Sequence, residues 1–333
     1  MSAVAEPAVA LPHHPVRQAL TSPVASIAIA FVAVVAVGLG WVGPRFLSAS
    51  NVTIIGSYVA VPMFIGACSS FALLAGVVDL SIGSMVGFSS ALFAALLFAQ
   101  LDMWSAGALT LVACLAAGAI NAVAIVIFGA DAIAATLGML TALRGVTWVI
   151  IDLTGVSGAI TAFQPDFFDF TNTNVGPVPL IFLLSLATVI VAAVVVTRTR
   201  LGRHVQAVGG DDRAASRAGI PVKGLRIAAL LLSAFGAGLG GIVYVGQLGS
   251  AAKLTGLGLE FQVYAALMIG GYSILRGGVG NPVGGALGLL VVAGVANILD
   301  VQAISPYYVN IIVGLLLLAA VLLDRLRGGD AYE

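Results

Sequence analysis

The chain has 333 residues, of which 60% are hydrophobic and 8% charged, and its 14 basic and 14 acidic side chains give a formal net charge of zero. Soluble domains are ordinarily about 45–50% apolar, so a mean hydropathy of +1.13 excludes a soluble globular protein. Because the apolar runs are continuous and do not alternate with period two, they favour an all-α polytopic membrane protein over a β-barrel.

The first 23 residues contain four prolines. They predict a disordered cytoplasmic tail, since proline interrupts helices. A cleaved signal peptide is the alternative, but the apolar run from Val24 to Val42 is longer than a usual signal-peptide core and lacks a small-x-small cleavage site. An uncleaved anchor is favoured, and His13-His14 is interpreted as a solvated pair and not as a metal site.

About ten apolar runs are long enough to cross a bilayer, which takes about 20 helical residues. We place these spans at residues 24–42, 52–74, 83–100, 106–128, 132–151, 178–197, 226–246, 260–275, 282–299 and 306–323. An even number puts both termini on one side. The positive-inside rule assigns that side to the cytoplasm, because every basic residue except Arg45, Arg144 and Lys253 then lies there. Residues 24–325 are predicted to be a single transmembrane domain, followed by a cytoplasmic tail at 326–333.

Asp79 ends one apolar run and is followed by Ser81 and Ser84. An intramembrane acid is by default functional, yet this spacing also fits a helix cap or a structural knot. A substrate contact and a structural role both stay open on the residues alone.

Uncharged polar side chains interrupt other runs, and each must hydrogen-bond to something other than lipid. These residues are Asn121, Gln262, Asn297 and Asn310. They are interpreted either as contacts between helices or as the lining of a pathway. The lack of fixed charge in the membrane favours a neutral polar solute over an ion.

Several residues have plainer interpretations. The glycine-rich stretch at residues 233–241 predicts close helix packing, and Cys68 and Cys114 are interpreted as small buried hydrophobes. Arg144 is predicted to snorkel toward the membrane interface beside Trp148. The outside loop from Asp152 to Pro177 carries two aspartates, Asp166 and Asp169, and is long enough to predict contact with an external partner.

Seven of the 14 basic residues lie between Arg198 and Arg226. Within this segment Asp211 is a suitable N-cap, Asp212 complements the helix dipole, and Gly219 can take the left-handed conformation that ends a helix. A two-turn helix over residues 211–218 is therefore predicted. So short a helix needs a surface to pack against, although on composition alone the charges could be only a topology signal.

Short motifs rich in glycine and alanine occur in both halves of the chain. The C-terminal motifs are Leu201-Gly202-Arg203, Ala207-Val208-Gly209-Gly210, Ala214-Ala215, Ala218-Gly219-Ile220, Gly270-Gly271-Tyr272-Ser273 and Gly277-Gly278-Val279-Gly280. The N-terminal motifs are Gly76-Val77-Val78-Asp79-Leu80-Ser81-Ile82-Gly83-Ser84, Ala135-Thr136-Leu137-Gly138-Met139 and Leu143-Arg144-Gly145. Together they resemble the permease subunit of ribose/xylose-type ATP-binding-cassette importers. They cover most of residues 50–325 and depart from the family signature at Val77, where glycine is usual.

The resemblance implies that residues 198–226 form a coupling segment whose helix sits in a groove of a separate ATPase subunit. The residues implied to couple to the ATPase are Gly210, Asp211, Asp212, Arg213, Ala214, Ala215, Ser216, Arg217 and Gly219. It further implies an extracytoplasmic sugar-binding protein, a second permease copy or paralogue, and a bacterial inner membrane. ATP and Mg would be bound by the ATPase, with no cofactor, metal, catalytic residue or nucleic acid expected for this chain.

Two other classes of protein compete with this interpretation. A secondary transporter would show paired charges near the bilayer midplane, and none is evident, although the connections at 76–84 and 270–281 resemble each other weakly. A membrane enzyme would need a nucleophile, a base or a metal cluster. The chain also lacks the Gly-x-x-x-x-Gly-Lys-Ser/Thr motif of an ATP-binding loop. The identity of the sugar, and the choice between homodimer and heterodimer, stay open.

Overall fold

The computed structural model of the chain describes residues 23–329. Residues 1–22, with His13-His14, and residues 330–333 lie outside that range. The helices are α1 (Pro23–Trp41), α2 (Ala49–Leu74), α3 (Ile82–Phe98), α4 (Met103–Ala122), α5 (Ala132–Leu153), α6 (Pro165–Asn172), α7 (Leu180–Arg198), α8 (Arg200–Gly210), α9 (Asp212–Arg217), α10 (Val222–Leu248), α11 (Leu259–Ile269), α12 (Pro282–Val301) and α13 (Pro306–Gly329).

Smaller elements join these helices. A 3₁₀ turn, Gly43–Leu47, lies between α1 and α2, and a π-helical turn, Val123–Ile127, extends α4. Four short strands make two antiparallel pairs, so the predicted all-α class needs only a minor amendment. The pairs are β1 (Ala159–Thr161) with β4 (Ser250–Ala252), and β2 (Asn174–Val175) with β3 (Val178–Pro179).

Six helices of residues 23–329 are long and apolar enough to cross a membrane, namely α2, α4 with its π-helical turn, α5, α7, α10 and α12. Four apolar helices are shorter: α1 from Ile27, α3, α11, and α13 between Tyr307 and Ala319. A helix thus occupies each of the ten predicted positions, and the chain is a multi-pass α-helical membrane protein. Ten crossings and cytoplasmic termini stay predictions.

The predicted span at residues 260–275 is too long. α11 ends at Ile269, and the connection that follows contains three glycines with φ of 94°, 79° and 145°, namely Gly271, Gly278 and Gly280. Glycine adopts such angles without steric cost. Residues 270–275 carry no charge and so extended the predicted span, but the helical backbone ends at Ile269.

α10 lies at the centre of the bundle, against α2, α3 and α4. Gly236, Gly238 and Gly241 of α10 approach these three helices so closely that an added Cβ would overlap its neighbours. The neighbours of Gly236 and Gly238 are Cys68 and Cys114, which are both buried and free. Close packing of small residues, which lets membrane helices associate, is confirmed for this stretch.

The contacts define two ends of the bundle. At the end that holds α8 and α9, the Gly278 amide donates to the Leu74 carbonyl at 2.9 Å, and Arg226 Nε donates to the Ala75 carbonyl at 3.3 Å. This is called the coupling end. At the opposite end, called the outer end, β1 pairs with β4 and Lys253 forms an ion pair with Asp152.

The short helices α3 and α11 begin inside the bundle with their N-termini close together. A Cβ on Gly83 would overlap the Gly256 carbonyl oxygen and the Glu260 carboxylate. Glu260 is only 3% exposed, and its Oε2, like the Ser84 Oγ, is buried with no hydrogen-bond partner within residues 23–329. The positive ends of two helix dipoles therefore converge on the Glu260 carboxylate.

The prediction that Arg144 snorkels is wrong. Arg144 lies in the middle of α5, where its Nη1 donates to the Thr255 carbonyl at 2.8 Å. Its guanidinium lies beside Gly87 of α3, one turn from Gly83, which the Glu260 carboxylate meets. One turn later, Trp148 Nε1 donates to the Lys253 carbonyl at 3.1 Å. Both side chains donate to main-chain carbonyls of the segment that leads into α11. They therefore hold that segment against α5.

Candidate functional site

The coupling segment begins with α8, an amphipathic helix that the sequence analysis did not identify. The Thr199 hydroxyl caps it by accepting a hydrogen bond from the Gly202 amide at 3.2 Å. Buried residues recur at every third position, Gly202, Val205 and Val208, while Arg200, Arg203 and His204 are exposed. The Thr199 cap and this spacing are the signals in the sequence that could have located it.

α9 has the predicted position and cap. The Asp211 Oδ1 accepts a hydrogen bond from the Ala214 amide at 2.9 Å. The helix ends at Arg217, and Gly219, with φ of +79°, turns the chain away two residues later. Asp212 forms an ion pair with Arg226 at 3.1 Å, which ties α9 to the start of α10. The helix has six residues and packs on α8, so it rests on the protein's own surface.

The residues implied to contact the ATPase divide by exposure. Ala215 is 4% exposed and belongs to the hydrophobic core, and Asp212 is half-buried. The other seven are exposed: Gly210, Asp211, Arg213, Ala214, Ser216, Arg217 and Gly219. The outward side of α9 is therefore small, polar and cationic.

A cavity of about 780 Å³ opens beside α9 at the coupling end. Its walls come from the α2–α3 turn, the α4–α5 connection and the start of α10, and they include Asp131, Arg213 and Lys223. Two connections and the start of α10 thus meet beside α9. This arrangement could seat a side chain of a docked protein.

Four of the predicted membrane polar residues lie at or near the start of α3. The Asp79 carboxylate accepts hydrogen bonds from the Ser81 amide at 3.1 Å, the Ser81 hydroxyl at 2.6 Å and the Ser233 hydroxyl at 2.7 Å. Asn121 Nδ2 donates to the Ser81 Oγ at 3.1 Å, and Ser84 lies one turn along. Asp79 is 2% exposed, so the geometry favours the structural knot over a substrate contact.

The backbone of Asp79 is held as firmly as its side chain. The Tyr264 hydroxyl of α11 accepts from the Asp79 amide and donates to the Asp79 carbonyl, both at 3.0 Å. The α2–α3 connection is thereby fixed to α4, α10 and α11 together. The sequence analysis missed Tyr264, which gives no signal within an apolar run.

The other three predicted polar residues meet near the outer end. Asn297 and Asn310 line a cavity of about 350 Å³ between α2, α12 and α13. Gln262 Nε2 donates to the hydroxyl of Tyr58, which lines the same cavity, at 3.0 Å. Asn297 pairs with Asn51 through two amide hydrogen bonds of 2.9 and 2.8 Å. The predicted polar residues thus belong to two separate clusters.

No group of three metal-binding side chains occurs in the part of the chain that the structure describes. The loop predicted to lie outside, residues 152–177, contains β1, α6 and β2. Its contact with an external partner stays a prediction.

Comparisons with known proteins agree with the motifs. A family model described as branched-chain amino acid transport system / permease component matches residues 52–321. The D-allose transport system permease protein of Escherichia coli (strain K12) is 34% identical over 84% of this chain and 85% of its own length. The ribose import permease protein of Haemophilus influenzae is 30% identical over 90% and 92%. The L-arabinose transport system permease protein of Escherichia coli (strain K12) is 28% identical over 85% of each. No solved structure matches the chain.

Proposed function

This chain belongs to the family of transport-system permease components, and from that premise we propose that it is the membrane subunit of an ATP-driven importer of a neutral sugar or sugar-like solute. The relatives named for allose, ribose and arabinose support a sugar over the amino acids in the family description. The observation that carries the proposal is the coupling segment, which presents a capped, outward-facing short helix on a rigid support.

The proposed assembly rests on two features of the chain: its sequence has no ATP-binding motif, and its coupling segment has an exposed side. ATP and Mg are bound by a cytoplasmic ATPase, since the sequence has no phosphate-binding loop. Two ATPase subunits dock on two permease copies, or on this chain and a paralogue, in a bacterial inner membrane. An extracytoplasmic binding protein delivers the solute to the outer end. A docked ATPase that moves the two coupling segments together would bias the bundle between two packings.

The structure supplies a route for that motion. α8 packs against the α2–α3 turn and the α11–α12 connection through Gly209, which lies against Leu74 and Gly278. These connections lead directly into α3 and α12 and follow α2 and α11. Displacement of α8 therefore acts on four helices without an intervening side chain. The two connections that resemble each other in sequence are thus joined by the Gly278–Leu74 hydrogen bond.

Arg213→Glu tests the docking of the ATPase. Arg213 is exposed on α9, so the substitution leaves the membrane fold intact and reverses the charge of the docking surface. We expect the ATPase to co-purify with the wild-type chain in mild detergent and to be largely lost from this variant. Ala215→Glu is a poorer test, because Ala215 is buried and the variant would disturb α9 itself.

The matched control is Arg325→Glu, which reverses another exposed arginine outside the coupling segment. It should retain the ATPase. Equal retention by both variants would contradict docking on α9. A chain that purifies alone and transports in liposomes without ATP would replace the importer by an ion-coupled secondary transporter.

A further inference from the structure

The cavity between α2, α12 and α13 lies at the outer end, where α2 and α13 begin and α12 ends. Its volume of about 350 Å³ falls within the range of small-molecule sites, about 300–1,000 Å³. Apolar side chains form most of its wall, and its polar side chains are Tyr58, Asn297, Asp300 and Asn310. A few polar groups that converge in an apolar wall are typical of a ligand site.

Two of these polar groups are fixed by neighbours. Asn297 is held by its amide pair with Asn51 and so serves as a rigid wall. The Tyr58 oxygen accepts a hydrogen bond from Gln262, while its own hydrogen has no acceptor within residues 23–329. Tyr58 therefore offers a preoriented donor to the cavity.

The side chains of Asp300 and Asn310 have no hydrogen-bond or ionic partner in the described part of the chain. Asp300 also lies in the last turn of α12, where the negative end of the helix dipole disfavours a carboxylate. The Asp300 carboxylate, on an exposed residue of the cavity wall, is thus unpaired within residues 23–329. A carboxylate in such a place accepts hydrogen bonds from whatever enters the cavity.

We propose that this cavity is a subsite for the hydroxyl groups of a neutral polyhydroxylated solute, bound by Tyr58, Asp300 and Asn310. The inference rests on the proposed function and adds the site and its ligand chemistry. Asp300 accepts from a pair of ligand hydroxyls, Tyr58 donates to a ligand oxygen, and the Asn310 amide does either. None of the ten lining residues is basic, so the carboxylate of an amino acid would be left without a partner.

Cysteine labelling tests this subsite in the full chain. Cys68 and Cys114 are buried, so an impermeant maleimide applied to right-side-out membrane vesicles should report on an introduced thiol. Ile304→Cys places the reporter on the cavity wall without altering the three binding residues. Val301→Cys is the matched control, since Val301 is exposed nearby and does not line the cavity.

We expect at least one sugar from a panel of pentoses, hexoses and polyols to slow labelling of Ile304→Cys severalfold, with no effect on Val301→Cys. Leucine should not slow either. Adding Tyr58→Phe should raise the half-protecting sugar concentration about two- to tenfold, the loss of one hydrogen bond. Tyr308→Phe, at an exposed tyrosine outside the cavity, should not.

The subsite is overturned if no sugar of the panel protects, if leucine protects, or if Tyr58→Phe and Tyr308→Phe behave alike. ATP-driven sugar uptake, measured with the ATPase and binding protein, separates the two proposals. Uptake without protection removes the subsite and keeps the importer. Protection without ATP-driven uptake keeps the subsite and removes the importer.

Discussion

Gly209 lies near the end of α8 against main-chain atoms of two other segments. A Cβ at this position would overlap the Leu74 carbonyl oxygen and the Gly278 amide nitrogen, which are rigid backbone groups that cannot move aside as a flexible side chain can. Gly210, the next residue of the same helix, has no atom within 4 Å of an added Cβ. Gly209 is half-buried and Gly210 is exposed, so only Gly209 is closed to a side chain.

Gly209→Ala is therefore expected to separate α8 from the α2–α3 turn and the α11–α12 connection. Sugar uptake per ATP hydrolysed should fall severalfold in proteoliposomes, while the ATPase still binds. Gly224→Ala is the control, because an added Cβ there meets no atom within 4 Å and Gly224 is not among the residues implied to couple to the ATPase. It should be neutral or stabilise α10 by up to about 1 kcal/mol. Equal uptake ratios in the two variants would show that this junction does not transmit motion.

Single residues differed in how far the sequence could predict them. Asp211 was predicted correctly as a cap because capping is a local property of neighbouring residues. Arg144, Tyr264 and Glu260 were misjudged or missed, since their contacts join segments that are distant along the chain. The sequence marks Asp79 as important because it is an acidic residue between two apolar runs. Its hydrogen bonds with Ser233 and Tyr264, which the sequence does not reveal, favour the structural role.

Among the elements, α9 depends most on its cap. The helix has six residues, and so few hydrogen bonds do not offset the cost of nucleation. The Asp211–Ala214 bond therefore supplies a large share of its stability.

Asp211→Ala should destabilise α9 by about 0.5–2 kcal/mol. Faster amide hydrogen exchange over residues 212–217 and weaker ATPase binding would report the loss. Asp211→Asn distinguishes capping from charge, because asparagine caps equally well without a carboxylate. If Asp211→Asn weakens ATPase binding as much as Asp211→Ala, Asp211 contacts the ATPase by its charge and its cap is not the cause.

Element positions followed from hydropathy wherever the chain crosses the bundle as one continuous helix. α8 was missed because its buried face is narrow and lies in a charged stretch. α11 was made too long because residues 270–275 carry no charge although the backbone turns. Composition does not report backbone conformation, and both errors fall on segments that meet at Gly209.

On the scale of the molecule, the two sequence halves are interleaved. α10 follows the coupling segment, yet it lies between α2, α3 and α4 of the first half and supplies the Ser233 hydroxyl to Asp79. β1 of the first half likewise pairs with β4 of the second. The first half therefore does not satisfy all of its buried polar groups by itself.

Fragments 1–221 and 222–333, divided between α9 and α10, should co-purify when expressed together in one membrane. Fragment 1–221 expressed alone should be degraded by protease much faster, because the groove that α10 fills is then open. Full-length chain cut at the same point after assembly is the control and should stay associated. Equal protease resistance of fragment 1–221 with and without its partner would contradict interleaving.

The position of Glu260 near Arg144 bears on how the protein responds to membrane voltage. Gly83 meets the Glu260 carboxylate and Gly87, one turn along α3, meets the Arg144 guanidinium, so both charges travel with the same helices. Moving one elementary charge across a membrane potential is worth about 2.3 kcal/mol per 100 mV, but opposite charges that move together cancel this work. If α3, α5 and α11 move as a unit, these two opposite charges therefore contribute almost no net work against the membrane potential. The equilibrium between the conformations of these helices should stay the same in polarised and depolarised cells.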